Sequence, residues 1–292
     1  MRDEKEMMDL IVGIAEKDER VRAVYMNGSR TNPNVERDIF QDYDVVYVVN
    51  ETISFLNDRE WISIFGDLTM IQYPYENDIA WGADHDFDCF FAILMLFKDG
   101  NRIDLGIETI KNALEGFSED KYDKLTIVLL DKDNLLPKCP LPSDEDLWIK
   151  KPTEEQYYAH CNNFWWCLNN VARGIVRDQL PYAMWMYNVV VRDELEKMIE
   201  WHIGVVKKFE LFVGNKGKLF KKYMSPEIYE MYKQTFSDSD YDNFWKAIFS
   251  ACNLFKIISL QVGQHFGFTY KKEEETGMME YLQWIKGINT IK

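Results

Sequence analysis

Two aspartates separated by a single residue, Asp42 and Asp44, are the groups in this sequence whose type and spacing best suit chemistry. The β-branched and aromatic residues that follow Tyr43 predict a buried strand that begins here. Side chains two residues apart on a strand point to the same face, so both carboxylates can share one cation. Because Mg²⁺ is usually held by one or two carboxylates together with substrate phosphates, the pair predicts a magnesium site and implies a nucleotide.

A Gly-Ser turn upstream can supply what phosphates need. Gly28 lets the backbone approach a ligand closely, and Ser29 adds a hydroxyl and an N–H at a predicted helix start. Twelve residues separate Ser29 from Asp42. Each piece alone is more often structural, as turn punctuation or as a solvated strand end. In this order and spacing they resemble the signature of the nucleotidyltransferase superfamily, whose members transfer a nucleoside monophosphate from a nucleoside triphosphate.

A third carboxylate, Asp104, lies between two apolar residues in the second of two apolar runs. The Asp-Gly pair at 99–100 separates these runs and predicts a hairpin that returns Asp104 to the sheet. A carboxylate in such a position is costly to bury unless it is paired or coordinates an ion. We expect Asp104 to complete an active site beside Asp42 and Asp44, and the alternative is an outward-facing, solvated Asp104.

Composition limits the class of protein. A chain of 292 residues can form two cores, and 47% hydrophobic residues indicate a globular protein. The formal net charge of −15 argues against a nucleic-acid partner and suits a cationic one. Five cysteines without a Cys-x-x-Cys pair predict reduced core thiols rather than a zinc site. The charged N-terminus and the absence of an 18-residue apolar run predict a cytoplasmic protein without a membrane partner.

The order of patterns predicts an α+β fold. A helical period over residues 4–18 precedes strand patterns and a helical segment at 55–65, and residues 73–88 are expected to form a loop. Three prolines in the six residues 137–142 mark a linker. We therefore predict three segments, which are a mixed-sheet domain with flanking helices at 1–136, a linker at 137–152 and a helical bundle at 153–292.

The second half carries helical patterns. Thr153 begins a capping-box sequence, and apolar stripes with helical spacing run over residues 157–175, 184–202 and 244–258. Such stripes most often form the core of a bundle. The second stripe also has a crowded polar side, which forms either a solvated face or a binding surface for a cationic acceptor. Two lysines in the turn at 214–218 suit a triphosphate but are equally ordinary on a surface loop.

The chain resembles the aminoglycoside 6-adenylyltransferases, also called streptomycin adenylyltransferases, along nearly its whole length. The resemblance is carried by Gly28-Ser29-Arg30, Phe40-Gln41-Asp42-Tyr43-Asp44, Ile103-Asp104-Leu105, Leu130-Asp131-Lys132-Asp133, Phe164-Trp165-Trp166, Arg192-Asp193-Glu194-Leu195 and Val213-Gly214. It implies a nucleotidyltransferase sheet domain followed by a helical domain, with the site between them. It also implies Mg²⁺-dependent transfer of AMP from ATP to a streptomycin hydroxyl, which confers antibiotic resistance.

The resemblance and the motif spacing together define a candidate site. The predicted catalytic and metal-binding residues are Asp42, Asp44 and Asp104. Asp104 either binds a second Mg²⁺ or takes the proton of the acceptor hydroxyl, and the sequence leaves both roles open. The residues expected near the ATP phosphates are Gly28, Ser29, Arg30, Arg192, Lys216 and Lys218. Because guanidinium and ammonium groups bind carboxylates and aromatic faces, those expected to bind the acceptor are Glu194, Glu196, Trp165 and Trp166.

Other functions fit parts of the pattern. A nucleotidyltransferase could modify a different small molecule, or a protein, as an AMP-transferring toxin–antitoxin component does. A non-catalytic nucleotide sensor is disfavoured by the intact trio of aspartates. Family members often carry Glu at the positions of Asn27 and Asn163, and these departures bear on the acceptor rather than on the metal carboxylates. We expect a monomer or a weak dimer.

Overall fold

A computed structural model of the protein describes residues 1–118 and 122–288 of the 292-residue chain. The chain divides into two units, Met1–Asp146 and Leu147–Lys292, and a short 3₁₀ turn at Glu145–Leu147 spans the division. The division falls within the predicted linker. The first unit contains a mixed sheet and the second is helical, so the predicted α+β architecture is confirmed.

The first unit is built on a six-stranded sheet with the order β3-β4-β5-β2-β1-β6. Strands β2 and β5 are parallel neighbours, whereas the other four pairs of neighbours are antiparallel. The predicted Asp-Gly hairpin connects β4 and β5. The strands are β1 Val21–Asn27, β2 Tyr43–Val49, β3 Leu68–Gln72, β4 Phe90–Phe97, β5 Arg102–Thr109 and β6 Ile127–Asp131.

Strand alternation gives the two faces of this sheet different roles. One face carries the apolar core, to which helix α1, Glu4–Lys17, contributes Met7, Ile11 and Ala15. Helix α1 begins with a capping box in which the side chain of Asp3 accepts a hydrogen bond from the backbone N–H of Glu6. On the opposite face, helix α4, Ile110–Ser118, packs around Ala23, Tyr25 and Val48. The remainder of that face is free to carry polar side chains.

Two predictions for the first unit need refinement. The helical segment expected at 55–65 is a short helix α2, Ile53–Asn57, followed by a 3₁₀ helix, Arg59–Phe65. The loop expected at 73–88 was wrong in part, because Pro74–Ala80 forms helix α3. Pro74 lies in its first turn, where a missing N–H breaks no helical bond. None of its residues is buried, so the helix has no apolar period that a sequence pattern could detect.

The second unit is a helical bundle, and the Thr153 capping box is confirmed. The side chains of Phe164 and Phe255 stack with ring centroids 3.8 Å apart and join its two longest helices. A π-helical turn, Met186–Val191, connects α6 to α7, and Asn215–Gly217 is a 3₁₀ turn. The helices are α5 Glu154–Val176, α6 Leu180–Trp185, α7 Arg192–Lys207, α8 Phe220–Tyr223, α9 Pro226–Lys233, α10 Tyr241–Phe266 and α11 Lys272–Lys286.

The predicted apolar stripes form the bundle core. Every stripe residue from 157 to 175 and from 244 to 258 is buried, as are five of the six in the second stripe, Tyr187, Val191, Leu195, Met198 and His202. All five cysteines are unpaired, and burial raises the pKa of the Cys161 thiol to about 12.

Within the described residues, no helix combines the length and apolar character needed to cross a membrane.

Removing the cap of α5 tests how much this local signal stabilises the fold. Thr153 accepts a hydrogen bond from the backbone N–H of Gln156 at 3.2 Å. We expect Thr153→Ala to lower the free energy of unfolding by about 1 kcal/mol, because one helix-end N–H loses its partner. Thr153→Ser keeps the hydroxyl and is the matched control. Urea unfolding followed by circular dichroism measures both, and equal losses in the two variants would contradict a capping role.

Candidate active site

The structure brings Asp42, Asp44 and Asp104 together on the less covered face of the sheet. Asp44 and Asp104 are direct partners in the parallel register of β2 and β5, and Asp42 precedes β2 by one residue. One carboxylate oxygen from each residue lies within 4.8 Å of the other two. All three side chains are half-buried, so they are accessible to a ligand while partly removed from water.

This convergence is electrostatically unfavourable by itself. The pKa of Asp44 is raised to about 6, first by burial and then by the charges of Asp42 and Asp104, while Arg102 opposes the shift. A bound cation stabilises the ionised form of carboxylates whose pKa is raised in this way. An all-oxygen donor set suits a hard dication such as Mg²⁺. The residues present therefore fit the metal that the sequence predicts.

Arg102 is a site residue that the sequence analysis missed. Its Nε donates to Oδ1 of Asp104 at 2.7 Å and its Nη2 donates to Oδ2 of Asp104 at 2.5 Å. The Nη1 atom lies 3.9 Å from Oδ2 of Asp42. The available signal was strand alternation, which places residues 102 and 104 on the same face of β5. Among the described residues, Arg102 is thus the cation that contacts these carboxylates.

The Gly28 turn borders the carboxylates. Gly28 has a φ of +79°, and a Cβ at this position would lie 2.0 Å from Oδ2 of Asp44. Only glycine permits both the backbone conformation and the close approach. The backbone N–H of Thr31 donates to the carbonyl of Gly28, which closes a turn. The predicted helix start at Ser29 was wrong, since residues 28–52, all described, contain no helix.

Arg30 lies behind the site. Its guanidinium donates to the carbonyls of Gln41 at 2.7 Å and Asp42 at 3.0 Å, and it stacks 3.8 Å above the ring of Tyr43. The side chain is 4% exposed, so the structure gives it protein partners where the sequence predicted a phosphate. These contacts fix the backbone just before β2. Arg30 therefore positions Asp42.

In the second unit, Arg192 is also committed to internal partners. It donates to the hydroxyls of Thr235 at 2.7 Å and Tyr232 at 2.8 Å, and to the carboxylate of Glu196 at 2.9 Å. Its guanidinium stacks 3.8 Å from the ring centroid of Phe236, and its side chain is 5% exposed. This buried network holds Glu196 in place, and it leaves Arg192 no free face for a phosphate in this structure.

A cavity of about 610 Å³ opens on the second unit and contains several of the predicted residues. Glu196 lines it, as does Lys216, whose Nζ lies 3.6 Å from Oδ1 of Asp193. Lys218 is exposed and does not line this cavity. The charged and aromatic lining residues are Trp148, Lys150, His160, Asp193, Glu196, Lys197, Glu200, Trp201, Phe212 and Lys216.

Glu194 and the two tryptophans have distinct environments. Glu194 is paired with Nδ1 of His160, which lines the cavity, and it accepts a hydrogen bond from Nδ2 of Asn163 at 3.1 Å. Trp165 is 2% exposed and packs edge-on against aromatic rings of the bundle core. Trp166 is 67% exposed. Of the two indoles expected to bind the acceptor, only that of Trp166 is accessible in this structure.

Comparisons with known proteins identify the family of the chain. The model of the streptomycin adenylyltransferase family matches residues 1–285. An aminoglycoside 6-adenylyltransferase from Bacillus subtilis (strain 168) is 35% identical over 285 residues, covering 98% of both chains. One from Staphylococcus aureus is 34% identical over 275 residues, covering 94% of this chain and 96% of the relative. A crystal structure of an aminoglycoside 6-adenyltransferase from Bacillus subtilis aligns over 99% of this chain and 100% of its own, at 30% identity and a TM-score of 0.48.

The matched region contains all three converging aspartates, the Gly28 turn and the whole second-unit cavity. The family match spans nearly the entire chain, and the relatives are covered over almost their full length. The chain therefore belongs to the streptomycin adenylyltransferase family and is a nucleotidyltransferase.

Proposed function

We propose that this protein catalyses Mg²⁺-dependent transfer of AMP from ATP to a hydroxyl of an aminoglycoside, most readily streptomycin, with release of pyrophosphate. Antibiotic resistance would be the consequence for the cell. The observation that carries the proposal is the convergence of Asp42, Asp44 and Asp104 on one face of the sheet. The acceptor class is supported by the relatives, which are named aminoglycoside 6-adenylyltransferases, and by the name of the matching family.

The nucleotide belongs to the first unit in this proposal. Asp42 and Asp44 hold Mg²⁺, which when bound neutralises triphosphate charge and makes the α-phosphorus more electrophilic. The absence of a side chain at Gly28 lets the backbone of the turn approach the phosphates, and Ser29 offers its hydroxyl beside it. Arg30 acts indirectly, because it fixes the carbonyl and hence the backbone of Asp42.

The transfer replaces one P–O bond by another. The acceptor hydroxyl attacks the α-phosphorus in line with the bond to the bridging oxygen, and pyrophosphate leaves with the electron pair of that bond. In this proposal the carboxylate of Asp104 accepts the proton of the hydroxyl. Asp104 is the direct partner of Asp44 on the neighbouring strand. Each oxygen of Asp104 accepts one hydrogen bond from Arg102, and loss of either bond would make the carboxylate a stronger base.

Cationic groups of the acceptor belong to the second unit in this proposal. The cavity there is lined by three carboxylates, Asp193, Glu196 and Glu200, and by the indole of Trp201. Guanidinium and ammonium groups bind carboxylates through charge-assisted hydrogen bonds and bind indole faces through cation–π contacts. Glu194 would act next to this cavity through His160, and the exposed Trp166 offers an additional face. The net charge of −15 favours approach of a cation.

The acceptor assignment is tested by pyrophosphate release from ATP and Mg²⁺ with streptomycin, spectinomycin, kanamycin and lincomycin. We expect turnover with streptomycin well above that with the other three. Turnover with another aminoglycoside alone would correct the acceptor while retaining the reaction. Turnover with none of them, together with AMP transfer to a protein in the same assay, would support the alternative protein-modifying function.

If Asp44 holds a metal, replacing it should lower activity but raise the stability of the metal-free protein. We expect Asp44→Asn to lower kcat at least about 10²- to 10³-fold, because a ligand of the Mg²⁺ that would neutralise the phosphates is lost. Without metal the same variant should be about 1–2 kcal/mol more stable, since one buried like charge is removed. Steady-state kinetics and thermal unfolding measure the two effects.

A matched control for this variant is Asp67→Asn, which neutralises an aspartate whose side chain is 84% exposed. We expect its kinetics to be near those of the unmodified protein. Added Mg²⁺ should raise the melting temperature of the unmodified protein more than that of Asp44→Asn. Near-normal turnover by Asp44→Asn would rule out the metal role of this residue.

The close approach at the turn is tested by Gly28→Ala. A Cβ at Gly28 would lie 2.0 Å from Oδ2 of Asp44, so either the turn or the carboxylate must move. A displacement of about 1 Å at a reacting centre lowers the rate about 10²-fold, and we expect that loss in kcat. Gly116→Ala is the control in the same unit, since no described atom outside the backbone of its own helix lies within 4 Å of a Cβ added at Gly116. Equal activity of the two variants would show that the close approach is not needed.

A further inference from the structure

Arg102 is the one described cation whose guanidinium bonds directly to a member of the aspartate trio. Both oxygens of Asp104 accept hydrogen bonds from it, and Asp42 lies 3.9 Å from its third nitrogen. Among the described residues, Arg102 makes hydrogen bonds only to Asp104. Its side chain is 46% exposed, whereas that of Asp104 is 18% exposed. The guanidinium is therefore held by carboxylates alone and has room to move.

The carboxylate that Arg102 contacts also borders the predicted metal site. A dication held by Asp42 and Asp44 would lie beside Asp104, because one oxygen of each residue lies within 4.8 Å of the other two. In this structure both oxygens of Asp104 accept hydrogen bonds from the guanidinium. A guanidinium remains charged at all ordinary pH values, so it cannot yield its place by losing a proton. Two cations cannot occupy one set of oxygens without repulsion. The two positive charges therefore repel, and metal binding weakens the pairing of Arg102 with Asp104.

We propose that Arg102 is a positioning residue that couples metal binding to nucleotide binding. This inference rests on the proposed function, because it needs a triphosphate at the same site. In the nucleotide-free protein Arg102 neutralises Asp104 and lowers the affinity of the trio for a free dication. A bound triphosphate offers the displaced guanidinium phosphate oxygens, which are its preferred bidentate partners. The dication then binds tightly only together with the nucleotide.

This coupling is reciprocal. If the nucleotide raises the affinity for the dication, the dication raises the affinity for the nucleotide by the same factor. Neutralising Arg102 should reduce this factor from both sides, because the free trio gains affinity for metal while the nucleotide complex loses a partner. A purely structural role, in which Arg102 only anchors the start of β5, predicts lower stability without any gain in metal affinity.

The experiment measures Mn²⁺ binding to the full-length protein by electron paramagnetic resonance, with and without an α,β-methylene analogue of ATP that cannot transfer AMP. Arg102→Gln removes the charge and keeps a polar side chain. The matched control is Arg22→Gln, because Arg22 makes the same two-bond pair with Asp133, at 2.6 Å for each bond, away from the trio. Thermal unfolding of each variant confirms that it is folded.

We expect Arg102→Gln to bind Mn²⁺ about three- to tenfold more tightly than the unmodified protein when no nucleotide is present. With the analogue, its affinity should be equal or lower. Arg22→Gln should match the unmodified protein in both conditions. Unchanged or weaker Mn²⁺ binding by Arg102→Gln without nucleotide would overturn the proposal.

The two proposals can fail separately. If the analogue raises Mn²⁺ affinity in the unmodified protein but Arg102→Gln behaves identically, the nucleotide site stands and the role of Arg102 is wrong. If the analogue has no effect on Mn²⁺ binding and Asp44→Asn binds Mn²⁺ equally well, the proposed nucleotide site is itself wrong. The role of Arg102 then fails with it.

Discussion

The parallel pairing of β2 with β5 is the constraint on which the candidate site depends. It places Asp44 directly beside Asp104, although the two residues are far apart in sequence. Burial, and then the charges of Asp42 and Asp104, raise the pKa of Asp44, so this arrangement of carboxylates opposes folding. The apolar core on the other face of the same strands offsets this effect. Packing on the apolar face of the sheet thus stabilises the fold. The three carboxylates on the opposite face destabilise it until a cation binds.

Much of this arrangement could be predicted, because it depends on local periodicity. Alternation along a strand places Asp42 and Asp44 on one face, and the Asp-Gly hairpin returns Asp104 to the sheet. Helical stripes likewise predict the bundle core, where every residue of the first and third stripes is buried. The sequence also predicts the order of the two units. Each of these signals involves residues that are neighbours in the chain or in one regular element.

The rest depends on contacts between distant residues. Arg30 and Arg192 are of a residue type that often binds phosphates. In the structure their partners include backbone carbonyls, hydroxyls and aromatic rings, which no motif specifies. Trp165 and Trp166 are adjacent, and the rotation of α5 buries one and exposes the other. Helix α3 was not predicted from the sequence, because it buries no residue and therefore has no apolar period. Burial of charged groups and helix rotation are tertiary properties, so a single sequence leaves them open.

The commitment of these arginines changes how charge is balanced in the proposed reaction. A triphosphate brings several negative charges to a site that already holds three carboxylates, and the buried guanidinium of Arg30 is bonded to backbone carbonyls. Within the first unit, neutralisation therefore depends on the dication, on backbone N–H groups near Gly28 and on Arg102. In the structure Arg102 is paired with Asp104. In the proposed reaction the triphosphate replaces Asp104 as its partner. A site balanced in this way favours binding of metal and nucleotide together over binding of either one alone.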